Sequence, residues 1–564
     1  IGYRYGVKRR GGIFVYKKPK GEETMKKTLA IMLALIMVLT MVPALAEGVK
    51  VAKIGTVEYE TLEEAIEKAN DGDTIELLAD CAMSSGITVK DKSLTIKSTG
   101  ETKRKITLND LGIHTSAQEG NPDKRYLKFE NCVLEIKANK NPSNSGNTAN
   151  LISNYDLTFL DADIRIEKYE TASISGIYLY QQSNICIDGS QVTISGFSEN
   201  RASGIYADNS EYDNKPNRRI EVKNRSTLNI SDCDWHGMTI NPIDVLVDNS
   251  TIDITDCGNQ SYGGGIGCYY GKMTLTGNAT VKTNKNRGSA WGIFVKELEM
   301  DGTSTLSSCD NKGDGIDIGG PGKIEKGATL TLDGNKKAGL CVYTGSDYWY
   351  GNVEIPDGVT FSAQKNGRGI WVYLDGKLNM ETGTVMYNSS ADYGGGVFNW
   401  GTSVLGNNVS LYNNHASIAG DDIYNVTSYS ENGEPVKTKA QITFGGVGSD
   451  WWLDGAPDCD GKIHKIDGWY EDDANGKRWQ AHKEKPEDNH ILSVTAPNQP
   501  IEVKVAVKAA HGANAVEPTP VPTPGGNTGG NGGGKPDFAM AGIKDQTKID
   551  EALAAVEKIL SEQI

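Results

Sequence analysis

The sequence predicts an all-β chain built as a right-handed parallel β-helix of three-strand coils, with a short N-terminal capping helix and a small tryptophan-rich C-terminal module. The first observation behind this is a recurring phrase of glycine, apolar residue, outward residue and second apolar residue. It opens at Gly176, Gly204, Gly237, Gly265, Gly292, Gly315, Gly339, Gly369 and Gly396. The gaps are 28, 33, 28, 27, 23, 24, 30 and 27 residues, a period that marks stacked repeats. The second is strict alternation between the phrases, as in Lys272–Val281 and Ala328–Asn335, which sends one set of side chains inward and the other to solvent. The third is that Gly, Asn and Asp turns separate these short strands, leaving no room for crossover helices. One coil cannot hide its own apolar side chains, so coils must stack into a continuous column. The span from Gly86 to Asn425 holds about a dozen coils at this repeat, a rod on the order of 60 Å.

Asparagines follow the third strand at Asn284, Asn311, Asn335, Asn366, Asn388 and Asn413. They are expected to take left-handed turn conformations and, where aligned, to stack as a hydrogen-bonded ladder. Ahead of the repeats, Thr61 and Glu64 have capping-box spacing, and Leu62, Ala65, Ile66 and Ala69 form one apolar stripe. Gly72 is placed to close the helix with a left-handed cap. This short helix, in an N-terminal cap over residues 47–85, is expected to cover the open end of the β-helix of residues 86–428.

Composition sets the wider frame. Residues 25–46 read as a secretory signal: Lys26 and Lys27, an apolar run from Leu29 to Val42, then Ala44-Leu45-Ala46. Residues 1–24 read as a non-structural upstream extension. Together these segments hold nine basic and two acidic residues, so without them the net charge moves from −15 to −22. Such a polyanion is a poor partner for nucleic acid, and no second long apolar segment predicts a membrane span after the signal. The nine cysteines lie mostly in strands rather than at framework spacings. Cys233 and Cys257, one coil apart, are expected to stack, either as buried small hydrophobes or as a coil-to-coil disulfide. Past the repeats, residues 441–510 change to a Trp-rich composition, 511–536 read as a Pro/Thr then Gly/Asn linker, and 537–564 as an amphipathic helical tail.

The stretch Thr61-Leu62-Glu63-Glu64-Ala65-Ile66 through Gly72-Asp73-Thr74-Ile75 resembles the opening of secreted right-handed β-helix proteins of the pectin-lyase-like superfamily. The late coils, Gly394-Gly395-Gly396-Val397-Phe398-Asn399 and Asn413-Asn414-His415-Ala416, look like the repeats of polymorphic-outer-membrane-type surface proteins. The resemblance covers about residues 49–425 and implies a secreted, bacterial cell-surface location.

Enzymes of that fold use a carboxylate-bound Ca²⁺ with an Arg or Lys base, or paired carboxylates. The pectate-lyase patterns are absent. The polygalacturonase set is matched only by His236-Gly237 and Asp421-Asp422, in reversed order and many coils apart. Asp314 with Asp317, and Asp244 with Asp248, read as solvated turn residues of an acidic surface. His464, His482 and His490 with Cys459 match no zinc spacing. No catalytic residue, metal or other cofactor is therefore predicted, with Ca²⁺ entering only if the chain is a lyase.

Aligned on their glycines, the phrases place aromatics in two outward rows: Tyr178, Tyr206, Phe294, Trp371 and Phe398 in one, Tyr180, Tyr269, Tyr343, Tyr373 and Trp400 in the other. Flat apolar rings on a rigid sheet suit the C–H faces of sugars. The sequence thus predicts a non-catalytic, surface-associated protein that adheres to glycans or surface partners through this strip. The alternative is a polysaccharide lyase or glycoside hydrolase with an unfamiliar site.

Overall fold

Alternating apolar and polar residues in runs of four or five become parallel strands that stack coil upon coil into a β-solenoid of about 11 turns. The computed structural model describes residues 49–445, short connecting segments excepted, and beyond them the strands Trp469–Asp472, Arg478–Trp479, Gly532–Lys535 and Phe538–Ala541. The upstream residues, the signal segment, and His464, His482, His490 and Cys459 lie outside the described residues; of the expected helical tail only Phe538–Ala541 is described, and it is a strand paired antiparallel with Gly532–Lys535 rather than helix.

Each coil contributes to three parallel sheets. Sheet A runs from Thr74–Leu77 through Leu94–Ser98 and Tyr126–Glu130 to Gln441–Gly445. Sheet B begins with Cys81–Met83 and Arg104–Leu108. Sheet C begins with Ile87–Lys90 and Ile113–Ser116, carries every glycine phrase, and continues to Ile423–Val426 and Trp469–Asp472. Inward aliphatic residues of all three sheets merge into one core reaching from Ala52 to Ile423. Fully burying each Leu, Ile or Val is worth about 1.5–3 kcal/mol, and none of this burial exists in an isolated coil.

The helix forms where expected, over Leu62–Lys68, with Thr61 Oγ1 accepting from the Glu64 backbone N–H at 3.2 Å. Leu62, Ala65 and Ile66 are buried against the first coil. Its C-terminus differs from the sequence expectation. Gly72 does adopt φ +83°, but in the following turn; the last helical carbonyls receive the Lys92 ammonium instead, at 2.6 Å from Ile66 O and 2.8 Å from Ala69 O. An antiparallel trio, Val57–Tyr59 and Thr74–Leu77 on either side of Ala52–Ile54, blunts the first edge of sheet A.

The corner between sheets B and C explains the glycine phrases. A Cβ on Gly204 would strike the Ile230 side chain and come within 2.7 Å of Gly237 O; on Gly315 it would lie 2.8 Å from the Asn335 amide nitrogen. The glycines are required for close approach rather than for turning, since none has a positive φ.

The asparagine ladder forms as expected at Asn311, Asn335, Asn366 and Asn388, and differs only at its two ends. Its rungs are Asn286, Asn311, Asn335, Asn366, Asn388 and Asn414, all buried. Asn286 Nδ2 donates to Asn311 Oδ1 at 2.8 Å, Asn311 to Asn335 at 3.0 Å, Asn335 to Asn366 at 3.1 Å and Asn388 to Asn414 at 2.8 Å. Asn284 stands half-buried two residues short of the ladder, and Asn413 lies outside the described residues. The left-handed conformation belongs to the residue before each rung, at Lys285, Asp310, Gly334, Lys365 and Tyr387. In earlier coils the same corner holds Cys233 and Cys257, each following a left-handed Asp. Both thiols are free and fully buried. Burial likewise pushes the Cys81 and Cys132 thiols up to about 12, so they act as small hydrophobes.

Asn335→Ala removes a rung and leaves the buried Asn311 backbone N–H without its acceptor, while Asn366 loses one of its two donors. Urea unfolding is expected to show a loss of about 2–4 kcal/mol, against under about 1 kcal/mol for Asn284→Ala.

Candidate functional site: an aromatic seam over a buried acid and thiol cluster

Sheets A and B alternate buried and solvated residues, but two adjacent strands of sheet C, Asp314–Ile318 and Ala338–Val342, are buried at every position. The outward face of sheet C is therefore covered at these two coils, and the rows read from the sequence run along that face. Register places Tyr178 beside Tyr206, then Thr239, Gly267, Phe294, Asp317, Cys341, Trp371, Phe398 and Tyr424 in one vertical row.

The rings form two groups. Tyr178 stacks on Tyr206 at 5.1 Å and tilts against Tyr180 at 4.6 Å, over Ala149 and Ile152. The larger group starts at Tyr269, Trp291 and Phe294 and passes through Tyr343 to Tyr373, 5.2 Å apart. Trp371 stacks flat on Tyr373 at 4.4 Å, and Phe398 lies 5.8 Å beyond it and stacks on Tyr424. Phe398 and Trp400 pack on the cluster of Tyr424 and Val426. Phe294 is buried beneath Trp349, whose ring centroid is 5.0 Å away, while Tyr178, Tyr180, Tyr206, Tyr269, Tyr343, Trp371, Tyr373, Phe398 and Trp400 are half-buried. Trp349 arrives from residues 343–351 and seats its indole over Gly319, where a Cβ would meet the ring.

Inside the larger group sits a cluster that the sequence reading dispersed. Asp314 and Asp317 are strand residues only 8% and 5% exposed, which corrects the expectation of solvated turn carboxylates. One oxygen of each and the Cys341 sulfur, fully buried, lie within 4.8 Å of one another. The strand after Gly315 turns Asp317 outward, and Cys341 is its neighbour one coil on. Asp314 Oδ1 accepts from the Ala338 backbone N–H at 2.8 Å, and Asp314 Oδ2 is 3.9 Å from the half-exposed Lys337 ammonium. Among the described residues Asp317 Oδ1 has no hydrogen-bond partner. Burial raises both carboxyls, Asp317 further because Asp314 repels a second negative charge, and burial with the two carboxylates raises the Cys341 thiol.

Arg368 bounds the cluster. Its Cζ lies 4.7 Å from the ring centroids of both Trp371 and Phe398, and its NH2 group donates to Asp392 at 2.6 Å and Tyr393 O at 2.7 Å. Arg368, Asp314, Trp291 and His236 all directly precede a phrase glycine, and that position forms a third outward row beside the two read from sequence. His236-Gly237 and the Asp422 coil stand seven coils apart, about 34 Å, so they share no site. Asp421 lies outside the described residues. Asp244 is exposed, as expected, and accepts from the Lys272 backbone N–H.

Residues 525–562 match the DHHA1 domain family, a stretch beyond the solenoid that takes in the second half of the expected linker and most of the tail. No curated protein and no solved structure matches the chain.

His236, 1% exposed between Trp235 and Trp291, is held neutral because burial lowers its pKa from 6.5 to about 3. As pH falls below 6.5 the unfolded chain takes up this proton and the folded one does not, so stability is lost down to about pH 3. Between pH 6 and 4, His236→Phe is expected to show a dependence of unfolding free energy shallower than wild type by about 1.4 kcal/mol per pH unit. Denaturant titrations at each pH check this.

Proposed function

We propose that this chain is a secreted, bacterial cell-surface β-solenoid of the pectin-lyase-like superfamily, with polymorphic-outer-membrane-type repeats. It acts without catalysis by adhering to glycans or glycan-bearing surface partners along the aromatic seam. The observation that carries the reading is the vertical alignment of half-buried rings on sheet C, above all Tyr343, Trp371, Tyr373, Phe398 and Trp400. Rings stacked on one another lose little side-chain entropy when a ligand arrives, and their remaining apolar area lies in a line along the rod. The coil rise, about 4.8 Å, is close to the length of one pyranose unit, so an extended glycan keeps step with the coils where rings follow one another, as at Trp371 and Phe398. The acidic balance argues against nucleic acid as partner, and among the described residues no helix is long and apolar enough to cross a membrane.

A second reading, a polysaccharide lyase or glycoside hydrolase, is favoured by one observation: the paired carboxylates of Asp314 and Asp317 beneath the same seam.

On a glycan array, Trp371→Ala and Trp400→Ala are expected to lower binding at least about tenfold with an unchanged far-ultraviolet spectrum. Binding that persists undiminished in both variants removes the adhesion reading. Pectins and host or algal glycans incubated with the purified chain, with and without chelator, are expected to yield no unsaturated or reducing ends; chelator-sensitive release transfers support to the enzyme.

A further inference from the structure

We propose that Asp314, Asp317 and Cys341 form a binding site for one divalent transition-metal ion of the zinc class. The donors come from two successive coils. Asp314 and Asp317 lie on one strand, Cys341 on the next, and their donor atoms fall within 4.8 Å of one another, a separation that one bound ion spans. The set is closed to bulk water, at 8%, 5% and 0% exposure.

A separate observation points to a missing partner. Asp317 gives one carboxylate oxygen to this cluster, where its carboxyl meets the Cys341 thiol, and among the described residues its buried Oδ1 has no hydrogen-bond donor. A buried unpaired carboxylate oxygen costs several kcal/mol, and native structures meet that cost with a proton, a donor or a cation. The surrounding cations do not supply it. Arg368 is engaged by Asp392, Ser390 and the carbonyls of Tyr393 and Gly394, and sandwiched by two rings. Lys337 reaches Asp314, from a half-exposed position, and no ion pair to Asp317 is formed among the described residues.

Charge is consistent with a divalent ion. With the Asp317 carboxyl protonated in the empty site, Asp314 and Asp392 balance Arg368 and Lys337, and a divalent cation entering with loss of the Asp317 and Cys341 protons to solvent keeps the assembly neutral. Ligand softness selects the ion: a thiolate beside two carboxylates suits zinc rather than calcium or magnesium, which take oxygen alone. Three protein ligands leave a fourth position open. Phe294 and Trp371, the neighbours of Asp317 and Cys341 in their row, and Tyr373 supply an apolar surround that strengthens metal–ligand attraction.

The test uses the full chain, stripped with chelator and titrated with Zn²⁺ or Cd²⁺ alone. One equivalent is expected to bind and raise the unfolding midpoint, with Cd²⁺ producing thiolate-to-metal absorption in the ultraviolet. Cys341→Ser and Asp317→Asn, both near-isosteric, are expected to weaken binding at least about tenfold and abolish the stabilisation. Cys341→Ser also abolishes the absorption band. Should either variant fail to fold, X-ray absorption on the zinc-loaded wild type decides: one sulfur at about 2.3 Å with oxygen neighbours at about 2.0–2.2 Å supports the site. No retained metal, a shell with no sulfur or several, or folded variants that bind as wild type does would overturn it.

Discussion

The structure depends on coils stacking in register through parallel backbone ladders. Without that alignment no coil has a core, because each contributes only a few aliphatic side chains to an interior that becomes dry when many coils share it. The ladders align everything else. Inward isoleucines and leucines line up, glycines fall on glycine carbonyls, and buried amides find the next amide one coil away. The glycine column and the asparagine ladder are two sides of one corner: the amide of Asn335 fills the volume that a Cβ on Gly315 would need. Exchanging either partner alone leaves a clash or an orphaned polar group.

The same register gives sheet C a second buried layer. On sheets A and B the outward residues meet water, so charge and threonine suffice there. On sheet C, rings from successive coils pack on one another and on Trp349, enclosing two carboxylates and a thiol in surroundings that penalise their charge. A purely structural seam would be better served by apolar residues at Asp317 and Cys341, since buried acids without partners reduce stability. Their position under the covering rings brings the glycan-contacting and metal-binding proposals into one region.

Much of this was legible in the chain. The phrase at Gly176 through Gly396 marks sheet C, and alternation marks sheets A and B. The capping stripe Leu62, Ala65 and Ile66 marks the covered end, because each signal is local and repeats. Most of the misreadings share one cause, loss of phase at the corner between sheets B and C. There a left-handed residue precedes the inward rung, so counting from the third strand selected Asn284 instead of Asn286. At Asp314-Gly315-Ile316-Asp317 the inward glycine breaks simple alternation, leaving both aspartates on the covered face although they are three apart. Arg368 and Trp291 were missed for the same reason, since the row preceding each glycine was not read as outward. Trp349 had no periodic signal, because it arrives from an insertion between repeats.

Interspin distance across many coils tests the central claim of in-register stacking most directly. Lys128 and Glu354 occupy one outward column of sheet A, eight coils apart by successive register. Spin labels at these two positions, read by double electron–electron resonance, are predicted to give one narrow distribution centred near 38 Å, eight rises of about 4.8 Å. A broad distribution, or one displaced by more than two coil rises, would contradict the account.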